Sequence, residues 1–465
     1  MAEISTFNCR LGSSNPEKYS VSPAELLDLF LGAAEDAHLK GALLSFSVRQ
    51  KLLTQLIFNI RQHKEALFVL YHQESSLGRP RFEIEFARTL EQIQAYLDAA
   101  KNLMENEVES ISTNRIIHKK ALPLGPIAVF GASNFPLAYS TLGGDVMGAL
   151  AAGCPVVVKG HSLHAGTSIL SANIIKDTIS SLNLHPGIFA HVIDNSYNLA
   201  HALVQDNRIK GCGFTGSFEG GMALFRLAQM RKNPIPFFAE MGSINPVIFG
   251  GDVSDYPQHI HQIVKAITAD SGQFCTKPGL VFFPSSKSEQ VIEQFLFEMK
   301  AAEEHPMLHP SISERYMGRI TSIEDSKVNS RHLITGPQFN VTRGFITTNS
   351  KSFCEHSAFH DEFFGPFCIL VSYENHEELF ACLAKLSGQL TGTVIGSSED
   401  FEAFFPTLSL KCGRIIHNGV PTGVSVLPAM HHGGPFPSST DNRFSAVGEA
   451  SILRFTRYLS VQKTL

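Results

Sequence analysis

Between Gly125 and Glu240 short apolar runs alternate with longer amphipathic ones, and nothing else in the chain constrains its fold as strongly. PIAVFG (126–131), CPVVVK (154–159), GIFAHVI (187–193), IKGCGFTG (209–216) and IPFFAE (235–240) read as strands. Segments 136–152, 163–182, 196–206 and 217–231 read as the helices between them. Strands apolar along their whole length and separated by helices predict a parallel sheet covered on both faces. Such a sheet binds ligands beyond the carboxyl ends of its strands, so the chemistry is expected there.

The flanking regions are less regular. The first hundred residues read as helices, with Ser22 as N-cap ahead of Pro23 and AELLDLFLGAAEDA. Helical periodicity continues through Val48–Gln73 and Glu83–Leu103, and the pattern turns β-like over Glu105–Leu122. A second mixed segment runs from about Asn245 to His432, and the tail ILRFTRYLSVQ ends strand-like, ready to pair with another β segment or another subunit. A chain of 465 residues is expected to form two or three domains.

Composition removes several classes of function. With 43% hydrophobic and 17% charged residues the chain is no disordered segment. Its 38 Lys+Arg against 43 Asp+Glu offer no basic surface for nucleic acid. The apolar stretch 121–159 is interrupted by Asn134, Pro136, Asp145 and glycines, which is too irregular to span a bilayer. The N-terminus lacks the basic start and apolar core of a signal peptide, so a soluble, cytoplasmic protein is expected. Eight cysteines without a CxxC pair read as reduced thiols. Cys354, His356 and His360 resemble metal-ligand spacing but lack a second cluster, so no metal is expected. His161 and His164 read as a solvated loop pair.

Four strand ends carry polar residues that a purely structural sheet does not need. Asn134 in GASNFP either caps a helix opened by Pro136 or donates its amide to a developing oxyanion. Lys159 in VVVKGHS either reaches a nucleotide or is an exposed strand-end charge. GFTGSFEGG (213–221) is a Gly-rich turn entering a helix, where backbone N–H groups and Ser217 suit a phosphate. Glu240 in FFAEMGSINP is followed by Cys275 in SGQFCTKPG, a possible base and nucleophile.

GASNFP, the Lys159 strand end, FTGS, E-M-G-S-x-N-P, GQFC, DEFFGP (361–366) and GRIIHNG (413–419) occur in the order and approximate spacing of the aldehyde dehydrogenase superfamily, which the chain resembles over nearly its whole length. The tail HHGGPFPSSTDNRFSAVGEASILRF (431–455) is similar to the branch holding α-ketoglutarate semialdehyde (2,5-dioxovalerate) dehydrogenases and NADP-dependent fatty aldehyde dehydrogenases. The resemblance implies an α/β fold with a Rossmann-like cofactor domain (1–104 and 124–241), an α/β catalytic domain (242–432) and a small β oligomerisation element (105–123 and 433–465) forming homodimers or homotetramers.

The resemblance also implies roles. Cys275 attacks the aldehyde carbon, Asn134 and the Cys275 N–H hold the oxyanion, hydride leaves for the nicotinamide, and Glu240 activates the water that hydrolyses the thioester. Lys159, Ser162, Gly216, Ser217, Gly221, Glu362 and Phe364 fall at cofactor-binding positions, and Asn418 at a supporting one. Ser162 stands where NAD-preferring relatives commonly carry Glu; without that charge a 2′-phosphate is tolerated, so NADP is expected in preference to NAD. His417 replaces an aromatic residue, and His432 falls in the expected substrate pocket; either assists proton transfer or packs. Lys277 points inward beside the thiol or outward to solvent, the outward reading being favoured. Arg443 and Lys277 are candidates for an acidic substrate's counter-charge. The expected substrate is α-ketoglutarate semialdehyde, with longer aliphatic aldehydes, a CoA-acylating reaction or a non-catalytic nucleotide-binding scaffold as alternatives.

Overall fold

The computed structural model describes residues 2–105, 108–112, 114–251 and 253–464. Parts of the expected segments at positions 1, 106, 107, 113, 252 and 465 lie outside the described residues.

The alternating region forms a five-stranded sheet, ordered Phe189–Ile193, Val156–Gly160, Ile127–Phe130, Gly211–Thr215, Phe237–Glu240. Every pairing in it is parallel. Its strands are apolar on both sides because both faces are covered: Ile127, Val129, Val156 and Val158 face the core built with the helices from Phe46 to Glu105, while Ala128, Phe130 and Val157 face the opposite core. The chain moves outward from Ile127–Phe130 in one direction and then in the other. That reversal opens a crevice beyond the carboxyl ends of Ile127–Phe130 and Gly211–Thr215.

A seven-stranded mixed sheet follows, ordered Ser330–Thr335, Thr342–Asn349, Phe367–Tyr373, Leu280–Pro284, Pro246–Phe249, Gln389–Ile395, Cys412–His417. It is also doubly covered, with Val247, Val281 and Phe283 facing one core and Ile248, Leu280 and Phe282 the other. The C-terminal strand Thr456–Thr464 pairs antiparallel with Arg115–Pro123, which pairs with Val108–Ser112 in a separate three-stranded sheet. Between the last two sheets the chain returns to Glu240: Thr440 N donates to Ala239 O at 3.2 Å, and Met241 N to Ser438 O at 2.8 Å.

Three local expectations are corrected. The N-terminus is not helical at first; Glu3–Asn8 and Ser13–Ser20 form a hairpin, with Ile4 and Thr6 turned inward at the period of a strand. Ser22 does not cap the helix Ala24–Leu39, whose N-cap is Pro23; the Ser22 hydroxyl instead accepts the Ile193 N–H at 2.9 Å. Pro136 opens no helix, and the helix starts at Gly144. The intervening turns are held by buried Glu85, whose carboxylate accepts the N–H groups of Leu137 and Ala138 at 2.8 and 2.9 Å.

Candidate active site

A cavity of about 200 Å³ occupies the crevice, lined by the strand-end segments 132–134, 215–217 and 240–242, by Cys275, Glu362 and Phe364, and by the helix Pro310–Thr321. Glu240 is the last residue of its strand and is 3% exposed. Its Oε1 lies 2.9 Å from His432 Nε2, while among the described residues Oε2 has no hydrogen-bond partner. His432 Nε2 is also 3.7 Å from Cys275 Sγ. Burial pushes the Glu240 carboxyl up, but His432, the Cys275 thiol and Arg88 together outweigh it and the net effect is downward. The Cys275 thiol is raised well above its ordinary value, first by burial and then by the Glu240 carboxylate. The resting pair is therefore a carboxylate beside a protonated thiol, with the imidazole touching both.

Cys275 owes its position to an unusual approach. Asp270, Ser271 and Gly272 are successive left-handed residues, at φ +45°, +54° and +63°. Such conformations persist only when neighbours over-determine them. Here Arg81 Nε lies 3.0 Å from Asp270 Oδ2, the Ser271 hydroxyl donates to His305 O, and a Cβ on Gly272 would strike the Gly365 carbonyl. Arg81, only partly exposed, also sits 3.1 Å from Glu85, and its guanidinium lies 4.3 Å from the Phe135 ring centroid and 5.1 Å from that of Phe274. Below the nucleophile, Asn245 Nδ2 donates to the carbonyls of Cys275 and Lys277 at 2.8 and 3.0 Å.

Asn134 Nδ2 donates to Gln273 O at 2.8 Å, which aims its amide across the cavity toward the Cys275 loop. Among the described residues neither its second amide hydrogen nor the Cys275 N–H has a protein acceptor, leaving two donors for an oxyanion.

The cofactor positions divide into two groups. Gly216, Ser217, Glu362 and Phe364 line the cavity. Ser217 caps the helix Phe218–Gln229, accepting the Gly220 N–H at 3.2 Å, and leaves that helix N-terminus facing the cavity. Glu362 packs so closely on the strand exit that a Cβ at Gly242 would collide with it; burial pushes its carboxyl up, with Lys277 and the Ser243 N–H pulling back. Lys159, Ser162 and Gly221 do not line the cavity. Lys159 pairs with buried Asp194 at 3.0 Å, Ser162 begins a short 3₁₀ turn beyond the same strand, and Gly221 is packed against Met241. A glycine-lined helix N-terminus at one side and a carboxylate at the other fit a dinucleotide's phosphate and ribose hydroxyls.

Several sequence expectations change. Lys277 is not at the surface: it is 1% exposed, and its Nζ donates to Phe367 O at 2.7 Å. His164 is buried and bonds the Ala132 carbonyl at 3.0 Å, so it and the stacked His161 are no solvated pair. His417 stacks on Phe401 and contacts Gly396 O at 3.0 Å, a packing role away from the cavity. Asn418 clasps the Gly396 peptide from both sides, at 2.9 and 3.0 Å. Cys354 faces Cys382 at 3.6 Å, and His360 bonds Phe353 O at 2.9 Å. Arg81, Glu85 and Asn245 were absent from the expected site. Arg81 and Glu85 sit four apart on one helix, but nothing in their spacing names Asp270 or Leu137 as partners.

The family model described as "Aldehyde dehydrogenase family" matches residues 14–461. The chain is 34% identical to "Alpha-ketoglutaric semialdehyde dehydrogenase" of Acinetobacter baylyi, the match covering 97% of this chain and 89% of that protein. It is 35% identical to "Alpha-ketoglutaric semialdehyde dehydrogenase 2" of Azospirillum brasilense, covering 86% and 79%. Its fold matches 1-pyrroline-5-carboxylate dehydrogenase from Thermus with bound NAD at a TM-score of 0.88 and 18% identity, over 100% and 90% of the two chains. NADP-dependent glyceraldehyde-3-phosphate dehydrogenase from Bacillus halodurans, complexed with NADP, matches at 0.85 and 20% identity, over 100% and 96%. The chain belongs to the aldehyde dehydrogenase family and is an NAD(P)-dependent enzyme oxidising an aldehyde to a carboxylic acid. No helix among the described residues is long and apolar enough to cross a membrane.

Proposed function

We propose that the enzyme oxidises α-ketoglutarate semialdehyde to α-ketoglutarate through a covalent cysteine adduct, without coenzyme A. The observation that carries the chemistry is the meeting of Cys275, His432 and Glu240, whose ligand atoms all lie within 4.8 Å of one another. The similarity to α-ketoglutaric semialdehyde dehydrogenases supports the substrate.

The Glu240 carboxylate, whose Oε1 accepts the His432 Nε2–H, takes the proton of the Cys275 thiol and passes it to solvent. The thiolate attacks the aldehyde carbon, and the new oxyanion is met by Asn134 Nδ2 and the Cys275 N–H. A nicotinamide dinucleotide, when bound, would supply the hydride acceptor that the step to the thioester needs. Glu362 would hold its ribose, Phe364 would lie beside its nicotinamide, and Gly216 and Ser217 would receive its phosphates. Glu240 Oε2, buried and without a hydrogen-bond partner among the described residues, then takes a proton from the water that attacks the thioester, and the Cys275 thiolate leaves. A CoA-acylating enzyme has no use for that base, and its presence favours hydrolysis.

NADP is the preferred cofactor in this reading. Ser162 offers a hydroxyl where a carboxylate would repel a 2′-phosphate, and Asp194, just past the end of the neighbouring strand, is paired with Lys159. The subunits associate through the three-stranded sheet, whose outer strands have open edges and expose Ile111, Tyr458 and Leu459.

The test is absorbance of the reduced nicotinamide with α-ketoglutarate semialdehyde and with short and long aliphatic aldehydes, each with NADP and with NAD and without CoA. Fastest turnover of the semialdehyde with NADP is expected, abolished in Cys275→Ala. Turnover in that variant overturns the mechanism, and preference for a long aliphatic aldehyde overturns the substrate. Light scattering that finds monomers overturns the association.

A further inference from the structure

We propose that Arg88 and Arg414 form the subsite that receives the carboxylate at the far end of the substrate, a proposal that rests on the reading of the substrate as a carboxylated semialdehyde. Arg88 projects from the long helix Arg79–Glu105. Its guanidinium lies 4.8 Å from the Tyr139 ring centroid, Nη2 donates to Tyr139 Oη at 2.7 Å, and Nε donates to Val424 O at 3.1 Å. Arg414 projects from the last strand of the large sheet, Cys412–His417; Nη2 donates to Pro421 O and Nη1 contacts Met430 Sδ at 3.8 Å. Two guanidinium groups from different elements thus hold one loop, residues 421–430.

That loop packs on the turns that follow the Asn134 strand end. Val424, Val426 and Met430 pack with Phe135 and Tyr139 in a small apolar cluster of their own. The Tyr139 ring is 6.1 Å from the His432 ring, and His432 Nε2 is 3.7 Å from Cys275 Sγ. Arg88 and Arg414 both lie within electrostatic reach of the nucleophile: the Arg88 charge favours the Cys275 thiolate, and Cys275 in turn favours the Arg414 cation, which burial disfavours.

The charge balance is what asks for a ligand. Among the described residues neither guanidinium has a carboxylate within ion-pairing distance, and Arg88 Nη1 and Arg414 Nε have no protein acceptor. Partly buried cations normally find an anion, because desolvation without one is costly. The two candidates from the sequence are unsuited. Arg443 is exposed and paired with Asp441 at 2.6 Å, and the Lys277 ammonium is sealed against the Phe367 carbonyl. An apolar wall ending in two free guanidinium edges suits an aldehyde with an anionic tail. In an α-oxo-acid semialdehyde the aldehyde and carboxylate carbons are four C–C bonds apart, about 5 Å when extended. So short a span asks for a counter-charge near the nucleophile, where both guanidinium groups lie within electrostatic reach.

The test compares wild type, Arg88→Met, Arg414→Met and Arg88→Lys on α-ketoglutarate semialdehyde, succinate semialdehyde and uncharged pentanal. Each Met variant is expected to lower the ratio of kcat/KM for the semialdehyde to that for pentanal by about tenfold or more, chiefly through KM, as for loss of a charged hydrogen bond. Arg88→Lys recovers part of that ratio. A ratio equal to wild type, whether both activities fall or neither does, means the arginines only brace the loop and overturns the proposal. If wild type rejects α-ketoglutarate semialdehyde but takes succinate semialdehyde with the same arginine dependence, the substrate reading falls and the subsite stands. No wild-type preference for either carboxylated aldehyde over pentanal removes the subsite. One measurement needs no variant: 2-oxoglutarate should compete with pentanal at least tenfold more tightly than 2-pentanone does, and equal inhibition refutes the subsite.

Discussion

His432 Nε2 stands 2.9 Å from Glu240 Oε1 and 3.7 Å from Cys275 Sγ, so one buried imidazole nitrogen touches both the base and the nucleophile. The thiol it faces is held protonated by burial and by the carboxylate, and thiolate is the reactive form. Replacing His432 by Phe removes the N–H that orients the Glu240 carboxylate while keeping a ring of similar size. The expected outcome is a fall in kcat/KM of about tenfold or more, as for loss of a charged hydrogen bond, together with slower alkylation of Cys275 at pH 7. Alkylation at the wild-type rate would show that Glu240 is positioned without His432.

Glu240 has two oxygens with different duties. Oε1 is taken by His432, and Oε2 is buried with no hydrogen-bond partner among the described residues. In Glu240→Gln the amide keeps a contact to His432 but has no basic atom for water. Stopped-flow absorbance should show a burst of reduced cofactor near one equivalent per active site, followed by slow turnover. Wild-type steady-state turnover in this variant would exclude Glu240 as the hydrolytic base.

The parallel sheet was legible because apolar runs of strand length alternate with amphipathic ones, and each of the five strands lies within a residue or two of where that pattern puts it. Glu240 and Cys275 stood out as chemically able residues, and the ordered motifs assembled them with Asn134. What the sequence withheld was direction and partnership. Lys277 could turn either way, and the Phe367 carbonyl, 90 residues on, decides it. Pro136 looked like a helix opening, yet Glu85, 52 positions upstream of the Leu137 N–H it accepts, holds a turn there. Ser22 had the chemistry of a cap, but the Ile193 N–H claimed it. Each miss is a long-range hydrogen bond overriding a local preference.

Asn134 performs two tasks with one amide. One hydrogen is bound by Gln273 O at 2.8 Å, two residues before the nucleophile, and the other, without an acceptor among the described residues, is left for the oxyanion. Asn134→Ala should lower kcat by about 10²–10³, equivalent to about 2.7–4 kcal/mol of lost oxyanion stabilisation. Cofactor binding, read by fluorescence titration, should persist, because Asn134 is not among the residues expected to hold ribose or phosphate. Loss of binding in step with kcat would assign Asn134 to the shape of the cleft instead.

His191 makes the fold sensitive to acid. It lies in the strand Phe189–Ile193, 8% exposed, with Nε2 against the Ser168 hydroxyl at 2.8 Å, and burial pulls its pKa down to about 3. An unfolded histidine titrates near 6.5. Above that pH both states are neutral, and His191 imposes no penalty. As the pH falls from 6.5 toward 3 the unfolded chain takes up a proton that the folded one refuses, so stability declines by about 1.4 kcal/mol per unit from this group. Between pH 7 and pH 5 the loss should be about 2 kcal/mol. His191→Gln keeps a donor for Ser168 but cannot titrate, so its urea midpoint should move less with pH than that of wild type. Parallel shifts in the two proteins over that interval would clear His191 and direct attention to the buried carboxylates.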